Sequence, residues 1–93
     1  MNLGTPIHPG RLLREEFLPD YGLTGYALAQ KIGSPRSTIE DLLRERRSLS
    51  AAVALRLARL FGTTPQYWMN MQSNYELALA ARDGSPDIVP LSA

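Results

Sequence analysis

The sequence predicts an all-α domain of five helices containing a helix-turn-helix, and three observations lead there. Apolar residues recur at helical spacing through most of the chain, with no strand-like alternation, internal repeat or low-complexity tract. Stop and start signals punctuate those runs, with Gly33 and Gly62 as terminators and Ser34-Pro35 and Thr64-Pro65 as cap-then-proline starts. Most informative is residues 24–47, TGYALAQKIGSPRSTIEDLLRERR, which reads as two short helices joined by a tight turn. Stop and start there are adjacent, so the two helices must meet steeply. Ala27, Leu28, Ile32, Ile39, Leu42 and Leu43 can then share one core.

Taken in order, residues 1–8 form an unstructured arm and Pro9 opens the first helix, whose stripe of Leu12, Leu13 and Phe17 ends at Leu18, before Pro19. Asp20, Tyr21 and Gly22 connect to a second helix over 25–32, capped by Thr24. The third, capped by Ser34 and started by Pro35, reaches about Arg44. A loop over 45–49 leads to Ser50, which caps a fourth helix burying Val53, Leu55, Leu57, Ala58, Leu60 and Phe61 and ending at Gly62. Pro65 starts the fifth and longest helix, which runs to about Arg82. The segment DGSPDIVPLSA, with two prolines and a glycine, is not helical. The domain therefore spans 1–82 and residues 83–93 form a flexible tail.

Ninety-three residues suit one domain able to fold without staples. With no cysteine and one histidine, disulfides, thiolate metal sites and cysteine nucleophiles drop out, and no cofactor is expected. There is no apolar leader at residues 1–12 and no membrane-spanning run, so the expectation is a soluble cytoplasmic protein without a membrane partner. The net charge is only +1, but residues 31–59 hold seven bases against three acids, a local +4 that leaves −3 on the remainder. Nine of the ten bases are arginine, whose planar fork matches phosphate and guanine edges. The chain is thus read as a DNA-binding regulator, with an ordinary helical corner and a solvated charged surface as the plainer alternatives.

Arg36, Ser37 and Thr38 occupy the first turn of the third helix, where side chains reach base edges and free N–H groups meet phosphate. Asp41 can accept from a cytosine amino group if it faces the groove. Arg36, Glu40 and Arg44 are spaced for an ion-pair ladder on an exposed helix, worth only about 0.3–0.5 kcal/mol per pair. Arg44, Arg46 and Arg47 cluster beside that helix and suit phosphate contacts. Lys31, and Thr24 with the Gly25 amide, are further phosphate candidates. His8 has no Ser, Cys or acidic neighbour in sequence, so it is read as structural, and no catalytic or metal site is expected. On the fifth helix, Trp68, Met71, Tyr75 and Leu79 form a stripe, with Tyr67, Met69 and Leu77 off it. That is more apolar surface than one face can bury, so a homodimer contact is expected. Trp68 belongs mostly to the core, and Met69, Tyr75 and Leu79 are candidates for the interface.

These residues carry a family resemblance. HPGRLLREEFL at 8–18, LAQKIG at 28–33, PRSTI at 35–39, ALRLARLFGTTPQYW at 54–68 and MNMQSNYEL at 69–77 resemble the HigA-type antitoxins, a branch of the lambda-repressor-like (XRE) helix-turn-helix proteins. The match covers about residues 8–79. LAQKIG is shared by many repressors, whereas the HPG opening with the FGT…YW…MQ…Y ending is much narrower. The resemblance implies a five-helix lambda-repressor-like domain with no enzymatic activity. It also implies a dimer bound to double-stranded operator DNA in its own promoter, as the autorepressor of a type II toxin–antitoxin pair. The partner is then a RelE-like mRNA-endonuclease toxin. By the same resemblance Arg36, Ser37, Asp41 and Thr38 face bases, and Arg44, Arg46 and Arg47 lie beside the backbone. Many relatives carry Asn-Gly or a similar glycine pair where this chain has Arg44-Glu45. A left-handed turn must be made here without glycine, or be replaced by another path. Two rival readings stand beside this one: a solitary helix-turn-helix regulator without a toxin, and a protein-interaction module that has lost DNA binding, which Glu40, Asp41 and Glu45 would suit.

Overall fold

Four of the five helices begin where a side chain takes up a free backbone N–H. In the computed structural model, which describes residues 6–84 and 86–92, Thr24 Oγ1 accepts from the Ala27 N–H at 3.0 Å. Ser50 Oγ accepts from Val53 at 3.2 Å and Thr64 Oγ1 from Tyr67 at 3.1 Å. Such caps contribute about 1 kcal/mol each. The helices are α1 over 9–21, α2 Gly25–Ile32, α3 Arg36–Leu43, α4 Ala51–Phe61 and α5 Pro65–Arg82, with no strand among the described residues. Gly22, Gly33 and Gly62 close α1, α2 and α4 in the left-handed conformation, which only glycine adopts without a Cβ penalty.

Two boundaries differ from the sequence reading. Helix α1 does not stop before Pro19; it continues to Tyr21. Residues Leu13–Phe17 form a π turn in which the Leu18 N–H donates to the Leu13 carbonyl, five residues back. That widened turn precedes the proline, whose ring would clash with the regular α-turn before it. Helix α3 starts one residue later than expected. Pro35, at ψ 141°, is the extended N-cap, and no side chain caps the helix. The hydroxyl of Ser34 therefore makes no cap; it is its N–H that is used, donating to the Ala29 carbonyl at 3.0 Å to close α2.

The core gathers Leu13, Leu18, Leu28, Ile32, Ile39, Leu42, Leu49, Val53, Ala54, Leu57 and Trp68. Helices α2 and α3 pack on each other, as do α4 and α5, and α1 lies against α3. An aromatic cluster of Phe17, Phe61 and Trp68 locks α1, α4 and α5 together, with Phe17 and Trp68 centroids 5.0 Å apart. Trp68 is fully buried, and its indole N–H donates to Thr63 Oγ1 at 2.7 Å. Leu55 and Leu60, expected in the core, are 57% and 36% exposed instead. The buried face of α4 follows 53, 54, 57 and 58, and at about 100° per residue Leu55 falls about 60° outside it while Leu60 lies at its edge, about 20° beyond Val53.

Residues 1–5 of the expected arm lie outside the described residues. His8, placed in that arm, is buried and acts as the N-cap of α1, its Nδ1 accepting from the Gly10 N–H at 2.9 Å. Residues 86–92 belong to no helix or strand, and their side chains are exposed. No helix among the described residues is long and apolar enough to cross a membrane.

Candidate nucleic-acid interface

The turn between α2 and α3 is held from two sides. Gly33 at φ 67° reverses the chain, and Arg56, reaching across from α4, donates through Nη1 to the Ile32 carbonyl at 2.6 Å and the Gly33 carbonyl at 3.4 Å. Those carbonyls are among the unsatisfied acceptors at the C-terminus of α2, and a guanidinium also opposes the negative end of the helix dipole there. Residue spacing along α4 does not announce this role, because the partners are 23 and 24 residues apart.

With the turn fixed, the first turn of α3 stands at the surface. Arg36 and Ser37 are exposed and Thr38 is half-buried. Arg36 Nε pairs with Glu40 Oε1 at 2.7 Å, and its guanidinium lies 5.1 Å from the centroid of the Tyr26 ring. Only this first rung of the expected ladder forms; Arg44 has no ion pair among the described residues. The Arg36–Glu40 pair is solvent-exposed and worth about 0.3–0.5 kcal/mol, against about 1–3 kcal/mol for a bidentate contact with guanine. The larger figure outweighs the smaller, so the pair would not withhold Arg36 from such a contact.

A cleft of about 430 Å³ between α1, the start of α2 and α3 is lined by Arg14, Thr24, Gly25, Tyr26, Arg36 and Arg44, among others. Three guanidinium groups thus surround the N-terminus of α2, the end of a helix that favours anions. Thr24, Arg36 and Arg44 were read from the sequence; Arg14 and Tyr26 were not, since α1 and the exposed face of α2 offer no local signal for them. Arg46 and Arg47 are exposed on the loop after α3 and Asp41 is half-buried. Lys31 is not part of the cleft. It lines a separate groove with Ala52, Leu55, Arg56, Arg59 and Leu60.

The loop after α3 makes its left-handed turn without glycine. Glu45 has φ 62°, alone among the described non-glycine residues in having a positive φ. The far end of the loop is pinned by Gln72, a buried polar residue on α5. Its Oε1 accepts from the Leu49 N–H at 2.8 Å and its Nε2 donates to Glu76 at 3.1 Å. Under the same loop sits His8, its ring edge-on to Tyr75 with centroids 5.0 Å apart. Burial lowers its pKa below the ordinary value, with Glu45 and a backbone hydrogen bond to Arg47 opposing. Of the three fifth-helix residues assigned to a dimer contact, Met69 and Tyr75 are half-buried against their own chain and Leu79 is exposed.

Among the described residues there is no cluster of His, Asp or Glu able to hold a metal ion. The helix-turn-helix family model matches residues 13–68. Virulence-associated protein I of Dichelobacter nodosus is 46% identical over 88 residues, covering 92% of this chain and 82% of that protein. Antitoxin HigA-1 of Vibrio cholerae is 39% identical over 72 residues, covering 77% and 68% respectively. The structure of the Pseudomonas aeruginosa antitoxin HigA with the higBA promoter superimposes with a TM-score of 0.84 at 43% identity, covering 92% of this chain and 98% of that one. The two-helix motif, the arginine-lined face and these likenesses agree: the chain belongs to the helix-turn-helix family, in its HigA-type antitoxin branch, a family of DNA-binding regulators and not of enzymes.

Proposed function

We propose that this protein is the antitoxin of a type II toxin–antitoxin pair, which binds operator DNA in its own promoter as a dimer and represses its own transcription. The first turn of α3 enters the major groove, where Arg36 and Ser37 meet base edges and Thr38 and Asp41 lie at the margin. Thr24, Arg44, Arg46 and Arg47 take the flanking phosphates, and Lys31 sits further out. The observation that carries this reading is the shared cleft of Arg14, Thr24, Gly25, Arg36 and Arg44 beside an exposed helix start, where three guanidinium groups outnumber the single carboxylate of Glu40, on a chain whose net charge is only +1. The solved HigA neighbour, determined with the higBA promoter, supports it.

Such a protein acts in the cytoplasm, and its second partner is a co-expressed RelE-like mRNA-endonuclease toxin that it holds inactive. The test is fluorescence anisotropy on a duplex from the chain's own upstream region and on an unrelated duplex, over a range of salt. Arg36→Ala in a folded variant should weaken the upstream duplex by about 1–3 kcal/mol and narrow the preference over the unrelated one. Equal affinity of the wild type for both duplexes, or an unchanged preference in the variant, would refute the assignment. Co-purification of a toxin-sized product of the adjacent reading frame tests the second partner.

A further inference from the structure

We propose that Arg14, on α1, is a positioning residue for the DNA-facing loop: it clamps Glu45 in the left-handed conformation and so sets where Arg44, Arg46 and Arg47 project. The inference rests on the reading of that loop as a phosphate-contacting segment.

Helix α3 ends in a pattern that ordinarily takes glycine. The Glu45 N–H donates to the Leu42 carbonyl at 3.0 Å and the Arg46 N–H to the Asp41 carbonyl at 2.9 Å. This six-residue closure needs a left-handed residue at the position Glu45 occupies. Glutamate has a Cβ that crowds its own carbonyl in this conformation, so the backbone alone would not hold it there. Arg14 supplies the hold. Its Nη1 donates to the Leu43 carbonyl at 2.5 Å, and its Nη2 donates to Glu45 Oε2 at 3.2 Å and to Glu15 Oε2 at 3.1 Å. One guanidinium thereby satisfies a last-turn carbonyl of α3 and ties the side chain of the strained residue to α1. Arg14 and Glu45 are 29–31 residues from their partners in this clamp, and the three loop arginines flank the clamped residue directly. The geometry replaces glycine's conformational freedom with a tether.

The experiment compares operator and unrelated duplexes, across salt, for Arg14→Ala, Arg14→Ala/Glu45→Gly, Glu45→Ala, Glu45→Gly and Arg46→Ala/Arg47→Ala, with thermal melts confirming folding. Arg14→Ala should bind both duplexes about tenfold more weakly. The Arg14→Ala/Glu45→Gly protein keeps the wild-type net charge and restores the left-handed residue, so it should recover to within about threefold. Glu45→Ala and Glu45→Gly remove the same charge, and the alanine variant should bind about fivefold more weakly than the glycine one. Arg46→Ala/Arg47→Ala should lower the salt slope by nearly one unit per contact. If that variant keeps the wild-type affinity and slope, the phosphate reading of the loop falls and the clamp's role with it. If it weakens while glycine fails to rescue Arg14→Ala, only the clamp is overturned and Arg14 touches DNA itself. Equal binding by Glu45→Ala and Glu45→Gly overturns the clamp even if Arg14→Ala does not fold.

Discussion

Gly10 packs directly on the backbone carbonyl of Leu42, so closely that a Cβ at Gly10 would overlap the carbonyl carbon and oxygen. This contact is where α1 crosses α3, and it brings the start of the chain's first helix onto the helix proposed above to read DNA. Backbone cannot give way as the tip of a side chain does. Gly10→Ala should therefore cost about 3 kcal/mol or more, an overpacking penalty at the upper end of its range. For a domain of this size that lowers the melting midpoint by roughly 12 °C or more, measurable by circular dichroism. A shift under about 4 °C would mean that the helices separate easily, contrary to the packing described.

Gln72 ties α5 to the loop after α3 through a single buried hydrogen bond to the Leu49 N–H. Gln72→Leu keeps the volume and strands that N–H without a partner, at a cost of about 1–3 kcal/mol. Because the loop's other anchor is the turn at Glu45, amide exchange should accelerate at residues 46–49 more than in α2. Uniform acceleration across the domain would contradict this, since it would make Gln72 a general core residue instead of a loop anchor.

His8 must be neutral to cap α1, because Nδ1 accepts the Gly10 N–H. Burial depresses its pKa in the folded state from 6.5, so at pH values just under 6.5 the unfolded chain takes up a proton that the folded chain refuses. Stability is then full above pH 6.5 and declines as pH falls toward the lowered folded value. Denaturant titrations at successive pH values through this window should show the decline in wild type. His8→Asn, which keeps a capping acceptor and does not titrate there, should flatten it. An equal slope in both proteins would assign the pH dependence to other groups.

Much of this was legible in the sequence, because helix punctuation is local chemistry. Thr24, Ser50, Thr64, Gly33 and Gly62 act within four residues of themselves, and each does what its type and position imply. Trp68 as core and the exposed first turn of α3 follow from periodicity in the same way. The misses share a different cause. Arg14 on the Leu43 carbonyl, Arg56 on the turn and Gln72 on Leu49 are long side chains acting 23 to 29 residues away. No spacing rule covers that reach. The glycine-free turn was readable as a problem, but its solution required knowing that α1 lies against the end of α3. Pro19 misled for a similar reason: a proline stop is a statement about regular α-helix, and a π turn escapes it.

The last half of α5 has the least to pack against within its own chain. From Ser73 onward only Tyr75 and Ala78 are even half-buried, while Leu77 and Leu79 are 66% and 37% exposed. The molecule measures 51 × 23 × 23 Å, and an 18-residue helix spans about 27 Å, longer than either short dimension. Tyr75 is already engaged by His8 and Met69 by the core; of the exposed Leu77 and Leu79, which point about 200° apart around the helix, Leu79 continues the face of Tyr75 and is the one assigned to a second copy. A two-fold contact there would set two α3 helices at a fixed separation, and a dimer spanning two half-sites about one DNA turn apart gains affinity that a monomer lacks. Sedimentation of the wild type at tens of micromolar should therefore show a dimer, and Leu79→Glu should shift it toward monomer. The same substitution should weaken a two-half-site duplex far more than a single half-site, because it leaves α3 untouched. A wild type that sediments as a monomer, or a Leu79→Glu protein that stays dimeric with full affinity, would place the contact on another face.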